Sequence, residues 1–70
     1  MNTIIYVRLL DEGIDVWRPI DATEVSHNTY RLIAQRAEDE KWEFDSGSTV
    51  RVEERMFETE PALVAVELVE

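Results

Sequence analysis

Apolar residues in this chain recur at every second position, and that period admits half-buried strands while leaving little room for amphipathic helices. In Thr3 to Leu10 the side chains of Ile5, Val7 and Leu9 share one face, and Tyr6 and Arg8 take the other. β-branched residues are plentiful there, as a pleated and half-buried surface prefers. Thr49 to Phe57 alternates most cleanly, with Val50 and Val52 facing inward and Arg51, Glu53 and Arg55 facing water. Leu63 to Val69 repeats the pattern with Val64, Val66 and Leu68 on one side.

Turn chemistry separates these runs. Asp11-Glu12-Gly13 supplies a glycine for the positive φ that closes a short bulged hairpin, after which the chain returns through Ile14 to Ile20. Pro19 has no N–H to give a ladder, so this second strand is an edge at that point or ends there. Asp21 to Val25 resumes the alternation, Ser26-His27-Asn28 makes a turn, and Thr29 to Ile33 forms the returning strand. Asp45-Ser46-Gly47-Ser48 is a further turn, and Glu58-Thr59-Glu60-Pro61 ends the Thr49 strand, with Pro61 setting the turn backbone. Leu32 to Trp42 is ambiguous: its Ala, Gln, Arg, Glu and Lys are good helix formers, and Ser26 or Asn28 could cap them. Strand followed by an exposed acidic loop is the preferred reading. Glu38-Asp39-Glu40 offers no apolar partner for a buried helical face, and Trp42-Glu43-Phe44 alternates again.

Seventy residues make one domain, and a domain of that size buries only about 60% of the surface its unfolded chain exposes. Five to seven short strands in so small a unit point to an all-β fold. The expected form is a small, strongly bent antiparallel sheet or a partly open SH3-like barrel, since closure protects edges that would otherwise pair with other chains. Its core is expected to hold Ile5, Val7, Leu9, Val16, Ala22, Tyr30, Leu32, Trp42, Phe44, Val50, Val52, Val64, Val66 and Leu68.

Several function classes drop out on composition. With no cysteine there is no disulfide, no thiol redox chemistry and no Cys-ligated zinc. Sixteen acidic residues against seven basic ones give a net charge of -9, which repels phosphate backbones and anionic membranes. The longest apolar runs, Ile4 to Val7 and Leu63 to Val66, fall far short of the roughly 20 residues of a membrane helix, and the N-terminus has no signal-peptide pattern. A soluble, cytoplasmic protein is therefore expected, with no cofactor and with neither nucleic acid nor membrane as partner. Its acidity serves solubility or steers it to a basic partner.

A pattern of residues runs through nearly the whole chain: Leu10-Asp11-Glu12-Gly13, Val16-Trp17-Arg18-Pro19, Tyr30-Arg31, Asp39-Glu40 with Trp42-Glu43-Phe44, Gly47 before Val50-Arg51-Val52-Glu53, and Leu63-Val64-Ala65. It resembles a family of small bacterial proteins of unassigned function. The resemblance implies a compact β-rich domain, and it carries over no activity, cofactor or binding residue.

Among candidate chemistries, a glycosidase would need two carboxyls across a cleft that desolvates one of them, and a core this small hardly supplies such a cleft. His27 lies in a Ser-His-Asn turn without a nucleophile or second histidine beside it in sequence, so a solvated turn histidine is expected. Asp11, Glu12 and Asp15 are close enough to suggest calcium, but Gly13 comes too early for an EF-hand loop. No catalytic or metal-binding set is expected.

Arg8, Arg18, Arg31, Arg51 and Arg55 lie in strands, mostly facing outward, as do Glu43, Glu53 and Glu67. Opposite charges across strands stabilise pairs and discourage edge-to-edge association. The candidate binding patch is Tyr6, Trp17, Arg18 and Pro19, because Trp, Tyr and Arg dominate binding hot spots and proline beside aromatics suits a shallow protein-binding surface. Trp17 either lies exposed in that patch or turns inward to plug a barrel end. The function expected is a non-enzymatic protein-interaction or accessory domain, with self-association through the patch as one form. The alternative is an acidic inhibitor or nucleic-acid mimic that occupies a basic protein's groove.

Overall fold

A computed structural model describes residues 2–10, 16–35, 38–57 and 59–69. Five strands make up the regular structure: β1 (Asn2–Arg8), β2 (Trp17–Ser26), β3 (Thr29–Leu32), β4 (Thr49–Phe57) and β5 (Glu60–Leu68). They close into a small all-β barrel in the order β1-β2-β3-β4-β5, an SH3-like barrel of the kind the alternation implied. Successive strands pair antiparallel, and β1 meets β5 in parallel at the single register pair Tyr6 and Val64. Among the described residues there is no helix, and none therefore long and apolar enough to cross a membrane.

The inward faces supply a core of Ile5, Val7, Ile20, Ala22, Tyr30, Leu32, Trp42, Val50, Val52 and Ala65. Leu9, Ala34, Phe44 and Leu63 pack against it, partly buried. The segment after β3 is irregular where it is described, and it returns along the end of β1. Leu10 N–H donates to the Lys41 carbonyl at 2.6 Å and Glu43 N–H to the Arg8 carbonyl at 2.8 Å. This short pairing, bridged at Leu9 and Trp42, seats the Trp42 ring in one end of the barrel. The barrel-end plug is thus Trp42, while Trp17 lies elsewhere.

Turn residues act where their backbones are needed. Asn28 adopts a φ of 58° in the β2–β3 turn and Gly47 a φ of 87° before β4, the region open to glycine and tolerated by asparagine. The Asp45–Ser48 turn is closed by Ser48 N–H on the Asp45 carbonyl at 3.1 Å and by Ser46 N–H on Asp45 Oδ1 at 2.7 Å. The expected Asp11-Glu12-Gly13 turn and the start of the second strand at Ile14 and Asp15 lie outside the described residues.

Of the two placements expected for Pro19, the edge is the one observed: β2 runs unbroken from Trp17 to Ser26, and Trp17–Ile20 pair with β1 alone, so the proline's missing N–H costs no ladder bond. Other expectations need correction. Pro61 sets no turn: it lies within β5 opposite Met56, where that strand is paired with β4 alone. Leu68 shares the face of its partner Val50 but falls on the last residue of β5 and is 52% exposed. Val66 is half-buried because it is the extra residue of a bulge, the register passing from Arg51 with Glu67 to Val52 with Ala65. The bulge moves Ala65 into the core in its place, and Ile20, not expected there, joins it while Val16 stays half-buried outside.

Candidate functional site

Cross-strand register decides which outward side chains meet. Tyr6 faces Pro19 and Arg8 faces Trp17 across β1 and β2, so these four share a surface, since directly opposed residues point to one side of a sheet. Ile5 and Val7, their neighbours in β1, point into the core. Arg18 is opposed to Val7 and therefore alternates away from Trp17 and Pro19. The structure thus brings together three members of the candidate patch, Tyr6, Trp17 and Pro19, and sets Arg18 apart from them.

The cluster is completed by Phe57 at the end of β4. Its ring meets Tyr6 edge-on, with centroids 5.2 Å apart at 73°, and Trp17 at 5.8 Å and 44°. Such arrangements set the positive edge of one ring toward the negative face of another, and they contribute about 0.5–1.5 kcal/mol a pair beyond area burial. Val64, the register partner of Tyr6, is fully buried yet stands outside the main core cluster. By alternation it is on the outer side of β5, beside Tyr6 and opposite Glu53. Tyr6, Trp17 and Phe57 are each half-buried, and Pro19 is exposed. Trp17 is accordingly neither free in solvent nor a plug: part of its ring packs on Phe57 and part remains open. Phe57 escaped the sequence reading, although its parity with Arg51, Glu53 and Arg55 marks an aromatic ring on an otherwise charged face.

Two open grooves flank the rings. One, of about 340 Å³, is lined by Ile4, Tyr6, Glu54, Pro61, Ala62 and Leu63. The other, of about 260 Å³, is lined by Arg8, Trp17, Glu43, Arg55, Ala65 and Val66. Each has one carboxylate in its lining, whereas acid–base cleavage of a glycoside needs two facing each other. No group of three or more metal-ligating side chains occurs among the described residues; Asp11, Glu12 and Asp15 lie outside them. His27 is exposed in its turn, its carbonyl accepting from Thr29 Oγ1 at 3.2 Å.

Arg18, Arg51 and Arg55 are engaged with carboxylates. Arg18 pairs with Glu40 through Nη2 to Oε2 and through Nε to Oε1 at 3.3 Å, and Trp42 Nε1–H donates to Glu40 Oε1 at 3.0 Å. Arg18 therefore belongs to a brace that holds the plug. On β4 and β5, Arg51 bonds Glu67 at 2.8 Å and Glu53 at 3.4 Å, and Arg55 bonds Glu53 at 3.4 Å. The hydrogen bonds that Arg51 donates, to Glu67 first and Glu53 second, hold its guanidinium above its ordinary pKa. Pairs this exposed add little stability. Comparison of the chain with protein-family models, with characterised proteins and with solved structures finds no match.

Proposed function

We propose that this barrel is a non-enzymatic protein-interaction or accessory domain, and that its contact surface is centred on Tyr6, Trp17 and Pro19, with Phe57 packed against the two rings and Arg18 left out of it. The observation that carries this reading is the assembly of three aromatic rings outside the core, beside an exposed proline opposed to one of them. Rigid aromatic rings offer large contact area at low conformational-entropy cost, which is why binding hot spots favour them. Their mutual packing pre-organises the surface, and the flanking grooves give a partner's side chains places to enter. The occupant is a protein partner or a second copy of this chain.

Crosslinking in the native cell followed by pull-down, comparing wild type with Trp17→Ala and Pro19→Ala, tests the proposal. Loss of the same partner from both variants, each still folded by circular dichroism, is expected; equal recovery from all three ends it. Salt separates this surface from an acidic mimic of nucleic acid. Binding through the rings weakens little as salt rises, whereas binding through carboxylates collapses.

A further inference from the structure

Among the described residues, the outer half of β4 pairs with a strand on one side only. β3 pairs with β4 through Thr49, Val50 and Arg51, and the last bond on that side is Val52 N–H to the Asn28 carbonyl at 2.9 Å. Backbone groups of successive strand residues point to alternate edges. Those of Glu54 and Met56 therefore point to the same edge as Val52, where no strand continues among the described residues. Glu53, Glu54, Arg55 and Met56 are all exposed, Met56 at 64%.

We propose that this edge of β4 accepts an extended peptide segment as an added antiparallel strand, with a basic residue opposite Glu54 and an apolar residue opposite Met56. The backbone groups of Glu54 and Met56 supply the ladder, and these two side chains, on one face of the strand, supply the selectivity. Charge argues for a foreign segment over a second copy. Self-pairing that engages both Glu54 and Met56 of each copy is centred on Arg55 and sets two guanidiniums in opposition. Moving the centre to Glu54 sets two carboxylates in opposition instead. Like charges directly opposed destabilise a pair, which is how edges resist self-association. A lysine-bearing segment meets no such penalty and is drawn in by the net charge of -9. This edge borders the ring cluster, since Glu54 lines one of the grooves beside the rings, but the ladder it offers uses no ring residue.

The test uses the whole ¹⁵N-labelled chain and a probe peptide, acetyl-Thr-Val-Thr-Lys-Thr-Val-amide, followed by amide shifts and hydrogen exchange. Saturable binding with new protection at the Glu54 and Met56 amides is expected. Glu54→Lys should weaken binding about fivefold, and the same peptide with glutamate for lysine should recover affinity for that variant. Glu24→Lys, an equal change of net charge at an exposed site on β2, should weaken binding by less than twofold. The proposal is overturned by absence of binding, by protection away from these amides, or by equal weakening in both variants. Protection that grows with protein concentration in the absence of peptide overturns it in favour of a second copy.

Discussion

Trp42 is the side chain whose removal should cost this domain most. It is 7% exposed in the core, bridges Leu9 at the end of β1, and donates its indole N–H to Glu40, whose side chain is only 16% exposed and is shared with Arg18. Replacing a buried tryptophan with alanine costs about 3–5 kcal/mol through lost transfer energy and the cavity left behind. At about 0.05–0.15 kcal/mol per residue, a chain of this length is stable by only about 3.5–10 kcal/mol in total. Trp42→Ala therefore removes a third or more of the stability, and all of it at the low end. Trp42→Phe keeps most of the ring packing and loses the charge-assisted hydrogen bond, for about 1–2 kcal/mol. Urea unfolding measures both, with Trp17 as the remaining fluorophore. With an m-value of about 1 kcal/mol/M for so small a domain, the phenylalanine variant should lose about 1–2 M in midpoint and the alanine variant about 3–5 M, which removes the native baseline at the low end of the stability range. An alanine variant with a cooperative transition within about 0.5 M of wild type would show that the plug is dispensable and that the inside–outside assignment is wrong.

Leu68→Ser should change stability by no more than about 0.5 kcal/mol, whereas Val64→Ser, four residues earlier, should cost about 2 kcal/mol; equal effects in urea would deny that Val64 is buried and Leu68 exposed. Gly47→Ala meets nothing within 4 Å, so its cost of about 1 kcal/mol comes from the left-handed backbone alone, and Gly47→Asn should recover part of it in the same assay. Phe57→Ala should cost about 2 kcal/mol and, in a Trp42→Phe background, should red-shift Trp17 emission and increase its quenching by iodide. Unchanged quenching would mean that Phe57 does not cover the indole.

The alternation made the strands and the barrel legible because a sheet with one buried face writes its period directly into the sequence. Ile5, Val7, Val50 and Val52 are where that period puts them. It failed where one residue shifted the phase: nothing local distinguishes Val66 as a bulge, so Leu63 to Val69 read as one uninterrupted face. Pro61 misled for a related reason. Whether a missing N–H matters depends on whether a second neighbour strand reaches that point, and strand overlap is a tertiary property. The candidate site was half legible. Tyr6, Trp17 and Pro19 share a side because strand pairing follows from the hairpin, but Arg18 is one residue out of phase with them. Phe57 comes from a strand 40 residues beyond Trp17, so only the closed barrel could bring it there.

The ring cluster also answers a structural problem that so short a chain creates. The β4–β5 hairpin is joined to the rest of the barrel through three register pairs to β3 and one to β1, a thin ladder for two of the longest strands. Phe57 on the hairpin grips Tyr6 and Trp17 on the opposite hairpin, and Tyr6 is the residue at which β1 meets β5, at Val64. The seam is thus held by side chains where backbone bonds are few. A partner that lands on Trp17 and Pro19 adds contacts to the closed form and makes none with a seam that has opened. Binding to one state alone stabilises it by mass action, so ligand occupancy should slow hydrogen exchange at Tyr6 and Val64 in proportion to ligand concentration. Amides of β3, which belong to neither side of the seam, should respond only as far as their exchange requires the same opening. A partner that binds the rings yet leaves exchange at Tyr6 and Val64 unchanged would separate the two roles and make the cluster a binding surface that carries no part of the closure.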